Sequence, residues 1–160
     1  MPTDIDITVE RVFAPSPELV EIVGELDAVL NALYTAEQRH GLRIEQLFEP
    51  NIRFFLAYID RNPAGCGGVA LFDDYAEVKR MYTREAVRGR GVGKALVARL
   101  EQEARDAGFR ILRLETGTYQ DAAIGLYERC SFRRCGAYGH YAELPPHRTE
   151  MSIFYEKDLR

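Results

Sequence analysis

The stretch VRGRGVGKAL, residues 87–96, sets three glycines, two arginines and a lysine immediately before an apolar run. Glycine tolerates the left-handed backbone conformation that other residues avoid. Successive N–H groups in such a turn can converge on one point, and a helix starting there adds the positive end of its dipole. Arg88, Arg90 and Lys94 can add charge-assisted hydrogen bonds. The implied chemistry is capture of an anion, with a solvated basic turn as the competing reading. The net charge of −4 leaves no global positive field, so nucleic acid is not an expected partner and an anion must be caught locally.

Spacing separates the phosphate loops. A Walker A loop ending at Gly93-Lys94 needs glycine at position 88 and a hydroxyl at 95, which are Arg88 and Ala95 here. A dinucleotide G-x-G-x-x-G started at Gly89 meets Lys94, and started at Gly91 it meets Leu96. Neither fits. The spacing present is R-x-x-G-x-G: Arg88, Gly89, Arg90, Gly91, Val92, Gly93.

The elements that must position this loop can be read from periodicity. Ile5–Phe13 alternates like a half-buried strand. Ser16 and Pro17 open an amphipathic helix with Leu19, Ile22, Val23, Leu26, Leu30 and Leu33 on one stripe. A short helix is expected over RIEQLFEP, then a hairpin of IRFFLAYID and GCGGVALF turning through RNPAG. A strand over Ala76–Thr83 precedes the glycine loop, a long helix closed by Gly108 follows it, and strand, helix and strands complete the chain.

The 160 residues, 46% hydrophobic and 29% charged, suit one soluble domain with no repeat or linker. Three cysteines without paired spacing suggest reduced thiols and a cytoplasmic setting. The N-terminal stretch MPTDIDITVERVF lacks the features of a signal peptide, and no apolar run is long enough to span a bilayer. The three histidines lack metal-ligand spacing, so no metal is expected.

The loop, together with AAIGLYERCSF downstream as A-x-x-L-Y-x-x-x-x-F, resembles the acetyl-coenzyme A-binding half of the GCN5-related N-acetyltransferases, over roughly Ala76–Phe132. The resemblance implies an α/β fold: a mixed, mostly antiparallel sheet of six to seven strands, splayed in the middle and flanked by about four helices. It implies one N-acetyltransferase domain over 1–160. The cofactor would be acetyl-CoA, its diphosphate held by Arg88, Gly89, Arg90, Gly91, Val92, Gly93 and Lys94. Its pantetheine arm would run along Met81, Tyr82 and Thr83, with the Met81 amide as oxyanion donor. Leu114, Glu115 and Thr116 would edge the slot. Tyr127 matches the family tyrosine near the coenzyme sulfur and is the expected acid. Glu77 is the expected base, on the same side of its strand as Met81 by period-two alternation, and Glu115 is the rival. Gln120 stands where many relatives carry asparagine. Ser131 replaces a common glycine, so a small change in that turn is expected.

The expected reaction is direct transfer of acetyl to a primary amine, of a small metabolite, in a ternary complex. The acceptor side is expected in LYTAEQRHGL and AYGHYAELPPHRTE, with Tyr34, His40, Glu115 and Tyr138 as substrate contacts. Arg39 or Arg53 could hold a carboxylate-bearing acceptor. A protein lysine or N-terminal acetyltransferase and a non-catalytic acyl-CoA sensor stand as alternatives. A homodimer paired through the terminal strand, Met151–Lys157, is a further expectation.

Overall fold

A computed structural model describes residues 5–160; the first four residues of the N-terminal stretch read above lie outside the described residues. Strands β1 (Ile7–Val12), β2 (Ile52–Ile59), β3 (Asn62–Leu71), β4 (Ala76–Thr83), β5 (Ile111–Gly117), β6 (Arg133–Cys135) and β7 (Ser152–Asp158) form one sheet in the order β1-β2-β3-β4-β5-β7-β6. Only β4 and β5 are parallel. That pair requires a crossover, which the glycine loop and helix α2 (Val92–Asp106) supply.

Period-two alternation gives the sheet two apolar faces. Along β2, Phe54 and Leu56 pack against Leu19, Ile22 and Val23 of helix α1 (Pro17–Leu33). Phe55 and Ala57 face the other way, toward Leu96, Leu100 and Ala104 of α2. Helix α3 (Asp121–Arg129) joins the α2 side through Ala123, Ile124, Leu126 and Tyr127. Ser16 caps α1 as its sequence predicts, accepting from the Leu19 amide at 3.2 Å. No helix among the described residues is long and apolar enough to cross a membrane.

Four local expectations are narrowed or overturned. The hairpin turns at Asp60 and Arg61, both at positive φ (48° and 71°), so Pro63, Ala64 and Gly65 belong to β3 rather than to the turn. The short helix expected over RIEQLFEP is present but confined to Ile44–Phe48, as a 3₁₀ helix. The terminal strand β7 lies between β5 and β6, so along Phe154–Glu156 both of its sides are already bonded and that stretch offers no edge for a partner strand. Ser131 keeps the glycine-like conformation at φ 71° instead of altering the turn.

The last point has a parallel in α2. There the Phe109 amide bonds Ala104 O and the Gly108 amide bonds Arg105 O, with Gly108 at φ 90°. At the end of α3 the Phe132 amide bonds Tyr127 O and the Ser131 amide bonds Glu128 O. Both are Schellman closures, and the second holds a serine where glycine would be unstrained.

The sheet's middle carries two irregularities. Gly68 pairs with Lys79 and Cys66 with Tyr82, so β4 has an extra residue there, and Arg80 sits at φ 57°. This β-bulge reverses the alternation beyond it. Met81 joins Val78 on the α2 face, whereas Glu77 is on the α1 face; the expectation that Met81 and Glu77 share a side fails for that reason. The second irregularity is that β4 and β5 pair only from Ala76↔Leu112 to Val78↔Leu114, then part.

Leu100, 0% exposed between α2 and the sheet, is expected to cost about 2–5 kcal/mol of unfolding free energy as Leu100→Ala, measured by urea denaturation. Ser131→Gly is expected to raise stability by about 1 kcal/mol by relieving the left-handed serine.

Candidate active site

Where β4 and β5 part, two connected cavities open. The larger holds about 810 Å³ and runs along the glycine loop between the start of α2 and α3. The smaller holds about 100 Å³ and lies on the α1 side. Leu26, Met81, Gln120, Ala123 and Tyr127 border both, so Tyr127 stands at the junction.

The glycine loop is built to present amides. Gly89 and Gly91 have φ of 83° and 91°, and Gly91 is the left-handed N-cap of α2. Gly93 serves closeness instead: a Cβ there would sit 2.8 Å from Leu126 Cδ2 of α3. Among the described residues, no backbone carbonyl outside the regular elements accepts from the amides of 89–94, and Ala95 is the first to bond back, to Gly91 O at 3.0 Å. A helix start leaves such donors unpaired, and these open onto the larger cavity. An anionic diphosphate fits that donor set.

Gly89, Gly91, Val92, Gly93, Lys94 and Arg88 line this cavity, as do Met81, Tyr82 and Thr83. Arg88 Nε also bonds Thr83 O at 3.2 Å, tying the loop to the end of β4. Arg90 differs from expectation. It is exposed at the turn between the two left-handed glycines and does not line the cavity. Gln120 lines both cavities, and its Nε2 is buried without an acceptor among the described residues.

The two candidate bases meet different environments. Glu77 is 1% exposed. Its Oε2 accepts from Tyr138 Oη at 2.6 Å and Tyr141 Oη at 2.8 Å, while Oε1 lies 3.2 Å from Lys79 Nζ, out of line for a hydrogen bond. Lys79 Nζ in turn donates to Tyr141 Oη at 2.8 Å. Glu77 is therefore the centre of a closed ionic cluster. Glu115, one strand away, accepts among the described residues only from Ser152 Oγ, at 2.6 Å, and borders the smaller cavity. Burial pushes its carboxyl up to about 7, with Glu77 adding to the shift while Ser152 and Lys79 oppose it.

Tyr127 is buried, in edge contact with Phe132, and burial followed by the Glu115 charge raises its hydroxyl well above the usual phenol range. It is held protonated. Tyr34 and His40 line the smaller cavity. Tyr34 Oη accepts from the Tyr119 amide at 2.8 Å, and Gly117 has no Cβ because that ring occupies the space. Burial lowers the His40 pKa, and its Nε2 lies 2.8 Å from Arg148 O, so this nitrogen carries the hydrogen.

Tyr138 differs from expectation: it does not line the cavity but supports Glu77 from behind, and Tyr141 takes the lining position. Leu114 is likewise in the core rather than on the slot edge, which Glu115 and Thr116 form. Arg53 pairs with Glu103 of α2 at 2.9 Å and lies apart from the cavity. The sequence reading passed over Lys79 and Arg80. A Glu-x-Lys pair on one strand face was a usable signal for Lys79; the bulge that turns Arg80 inward left none.

The segment around helix α4 (Pro146–Thr149) follows Tyr141, which borders the smaller cavity. It is fastened to residues 37–40 by the His40–Arg148 bond and by His147 Nε2, 3.3 Å from Glu37 Oε2.

Comparison with known proteins agrees with this architecture. A family model described as "Acetyltransferase (GNAT) family" matches residues 23–132. An IAA acetyltransferase of Azospirillum brasilense is 38% identical over 96% of this chain and 99% of its own length. The PaiA N-acetyltransferase of Thermoplasma acidophilum, solved with coenzyme A, shares the fold with a TM-score of 0.69 at 17% identity, over 96% of this chain and 99% of that one. A GNAT family acetyltransferase of Elizabethkingia anophelis, solved with acetyl-CoA, aligns with a TM-score of 0.67 at 17% identity, over 95% and 97%. The loop, the parted strands and these likenesses converge: the chain belongs to the acetyltransferase (GNAT) family.

Proposed function

We propose that this protein is an acetyl-CoA-dependent N-acetyltransferase that acetylates a primary amine of a small metabolite by direct attack in a ternary complex. The observation that carries the reading is the set of glycine-loop amides without backbone acceptors among the described residues, beside a large cavity that shares Tyr127 with a second, smaller one. The coenzyme-bound structures of the Thermoplasma and Elizabethkingia proteins support the ligand. The room of about 100 Å³ bordered by Tyr34, His40, Glu115 and Tyr141 favours a small acceptor over a peptide, which would need an open groove.

Acetyl-CoA supplies the activated acyl carbon and a thiolate leaving group. The amides of the glycine loop, Arg88 and Lys94 bind its diphosphate, and Met81, Tyr82 and Thr83 flank its pantetheine arm. The bulge frees backbone from the ladder beside Met81, which suits an oxyanion donor. Glu115 takes the proton of the incoming ammonium: it borders the acceptor pocket, and its pKa of about 7 lets it both accept and release a proton at neutral pH. Glu77 is the weaker candidate because both of its oxygens already face donors. It positions Tyr141 and Lys79. Tyr127, held protonated at the junction, donates to the departing sulfur.

Intersecting initial-velocity patterns and thiol release from acetyl-CoA with a panel of small amines test the reading; binding of coenzyme without release by any amine would instead favour a sensor. Gly91→Glu is expected to abolish coenzyme binding in calorimetry, by charge repulsion and by strain at φ 91°. Tyr127→Phe is expected to lower kcat with little change in the KM for acetyl-CoA. Activity is expected to rise with pH through about 7 as Glu115 ionises. Glu115→Gln should remove that limb and lower kcat by about 10²–10⁴-fold. The folded protein holds the Glu115 proton more tightly than the unfolded chain, so ionisation costs stability as pH rises from 4.5 to about 7. Glu115→Gln should therefore gain melting temperature relative to wild type above pH 7.

A further inference from the structure

The smaller cavity has a wall of cations that the acetyl transfer itself does not require. Arg80, turned inward by the bulge, has a side chain only 4% exposed; its Nη2 pairs with Asp27 Oδ1 at 2.5 Å, and its Nε is buried with no acceptor among the described residues. Arg39 lines the same cavity, and its Nε is likewise buried without an acceptor. The partner of Arg39 is neutral: its Nη1 donates to Asn31 Oδ1.

Asp27 and Asn31 are successive-turn neighbours on α1, so one helix face fastens both guanidinium groups side by side. Gly41 closes the arrangement, because a Cβ there would strike the Arg80 guanidinium. Two guanidinium groups thus line one small cavity, and Asp27 is the carboxylate partner of Arg80. Like charges that share a cavity repel, and buried donors without acceptors are costly. Both costs are relieved by a ligand that brings an anionic acceptor. Across the cavity, Glu115 offers the opposite polarity. Donor-rich and acceptor-bearing walls facing each other over a small space match a molecule carrying both a carboxylate and an amine.

We propose that the acetyl acceptor is a small amino-carboxylic acid whose carboxylate is held by Arg39 and Arg80 while its amine faces Glu115. This deepens, and rests on, the N-acetyltransferase reading above. A guanidinium meets a carboxylate with two parallel hydrogen bonds, so the site selects the free acid over its uncharged derivatives.

The test uses acceptors matched in side chain: free amino acids, their primary amides and the decarboxylated amines, assayed by thiol release from acetyl-CoA. Free acids are expected to show the higher kcat/KM. Arg39→Gln should raise the KM for the free acid by about tenfold to a hundredfold, with kcat and the coenzyme dissociation constant little changed, and Arg39→Lys should restore part of the loss. Equal or better use of amides or decarboxylated amines overturns the proposal, as does an equal effect of Arg39→Gln on acids and amides. Binding of N-acetyl amino acids and N-acetyl amino amides to the coenzyme-loaded protein, followed by calorimetry, is a second readout. Preference for the acids that depends on Arg39 supports the site, and binding by neither class overturns it. Arg39-dependent binding of the acids without thiol release from any amine would sink the transferase reading and keep the carboxylate site.

Discussion

Two strands that pair for three residues and then separate leave backbone donors and acceptors facing a gap, and buried groups of that kind need partners. The parting of β4 from β5 after Val78 and Leu114 is the constraint from which the site follows. β4 remains fastened to β3, and β5 to β7, so the opening is a fixed feature of the sheet rather than a fraying end. The gap lets Tyr127 reach the junction from the α2 side, and it admits residues 34–41 from the α1 side. The bulge at Arg80 adds to this by exchanging which residues look through the opening: Met81 turns toward the α2 side, where it borders the larger cavity, and Arg80 toward the smaller one.

Charge in the smaller cavity is divided by how completely each group is matched. Glu77 has two phenols and an ammonium around it, and its burial is stabilised by that cluster rather than opposed. Glu115 has one hydroxyl and a neighbouring negative charge, so desolvation dominates and its proton is held to near neutral pH. The two carboxylates lie on neighbouring strands, yet one is enclosed by donors and the other borders the cavity with a single hydroxyl partner among the described residues. Asymmetry of the same kind separates Arg80, which has a carboxylate partner, from Arg39, which has an amide. The net effect is a cavity with one surplus cation and one carboxyl poised to ionise.

The glycine loop was legible in the sequence because its requirements are local. Positive φ at two positions, close helix approach at a third and a helix immediately after are all set by residues within one short stretch. The same holds for the Ser16 cap and the Gly108 closure. Ser131 shows the limit of that reading: hydrogen bonds to Tyr127 and Glu128, and the burial of Phe132, hold a non-glycine residue in a glycine conformation. The surroundings of Glu77 were not legible for a related reason. Strand alternation places it correctly opposite Val78, but its partners Tyr138 and Tyr141 lie more than sixty residues away in the chain.

The sequence by itself determined the order of strands and main helices, the glycine turn at the start of α2 and the Ser16 cap, since each is encoded by periodicity or by fixed short spacing. Tertiary structure alone decided that β7 is interior, that a bulge reverses β4, that Arg90 points away and that Tyr138 backs a buried carboxylate. It also brought Arg39, Arg80 and Glu115 around one small cavity. Those outcomes depend on which distant segments become neighbours and on how much water remains between them, and a linear spacing rule carries neither quantity.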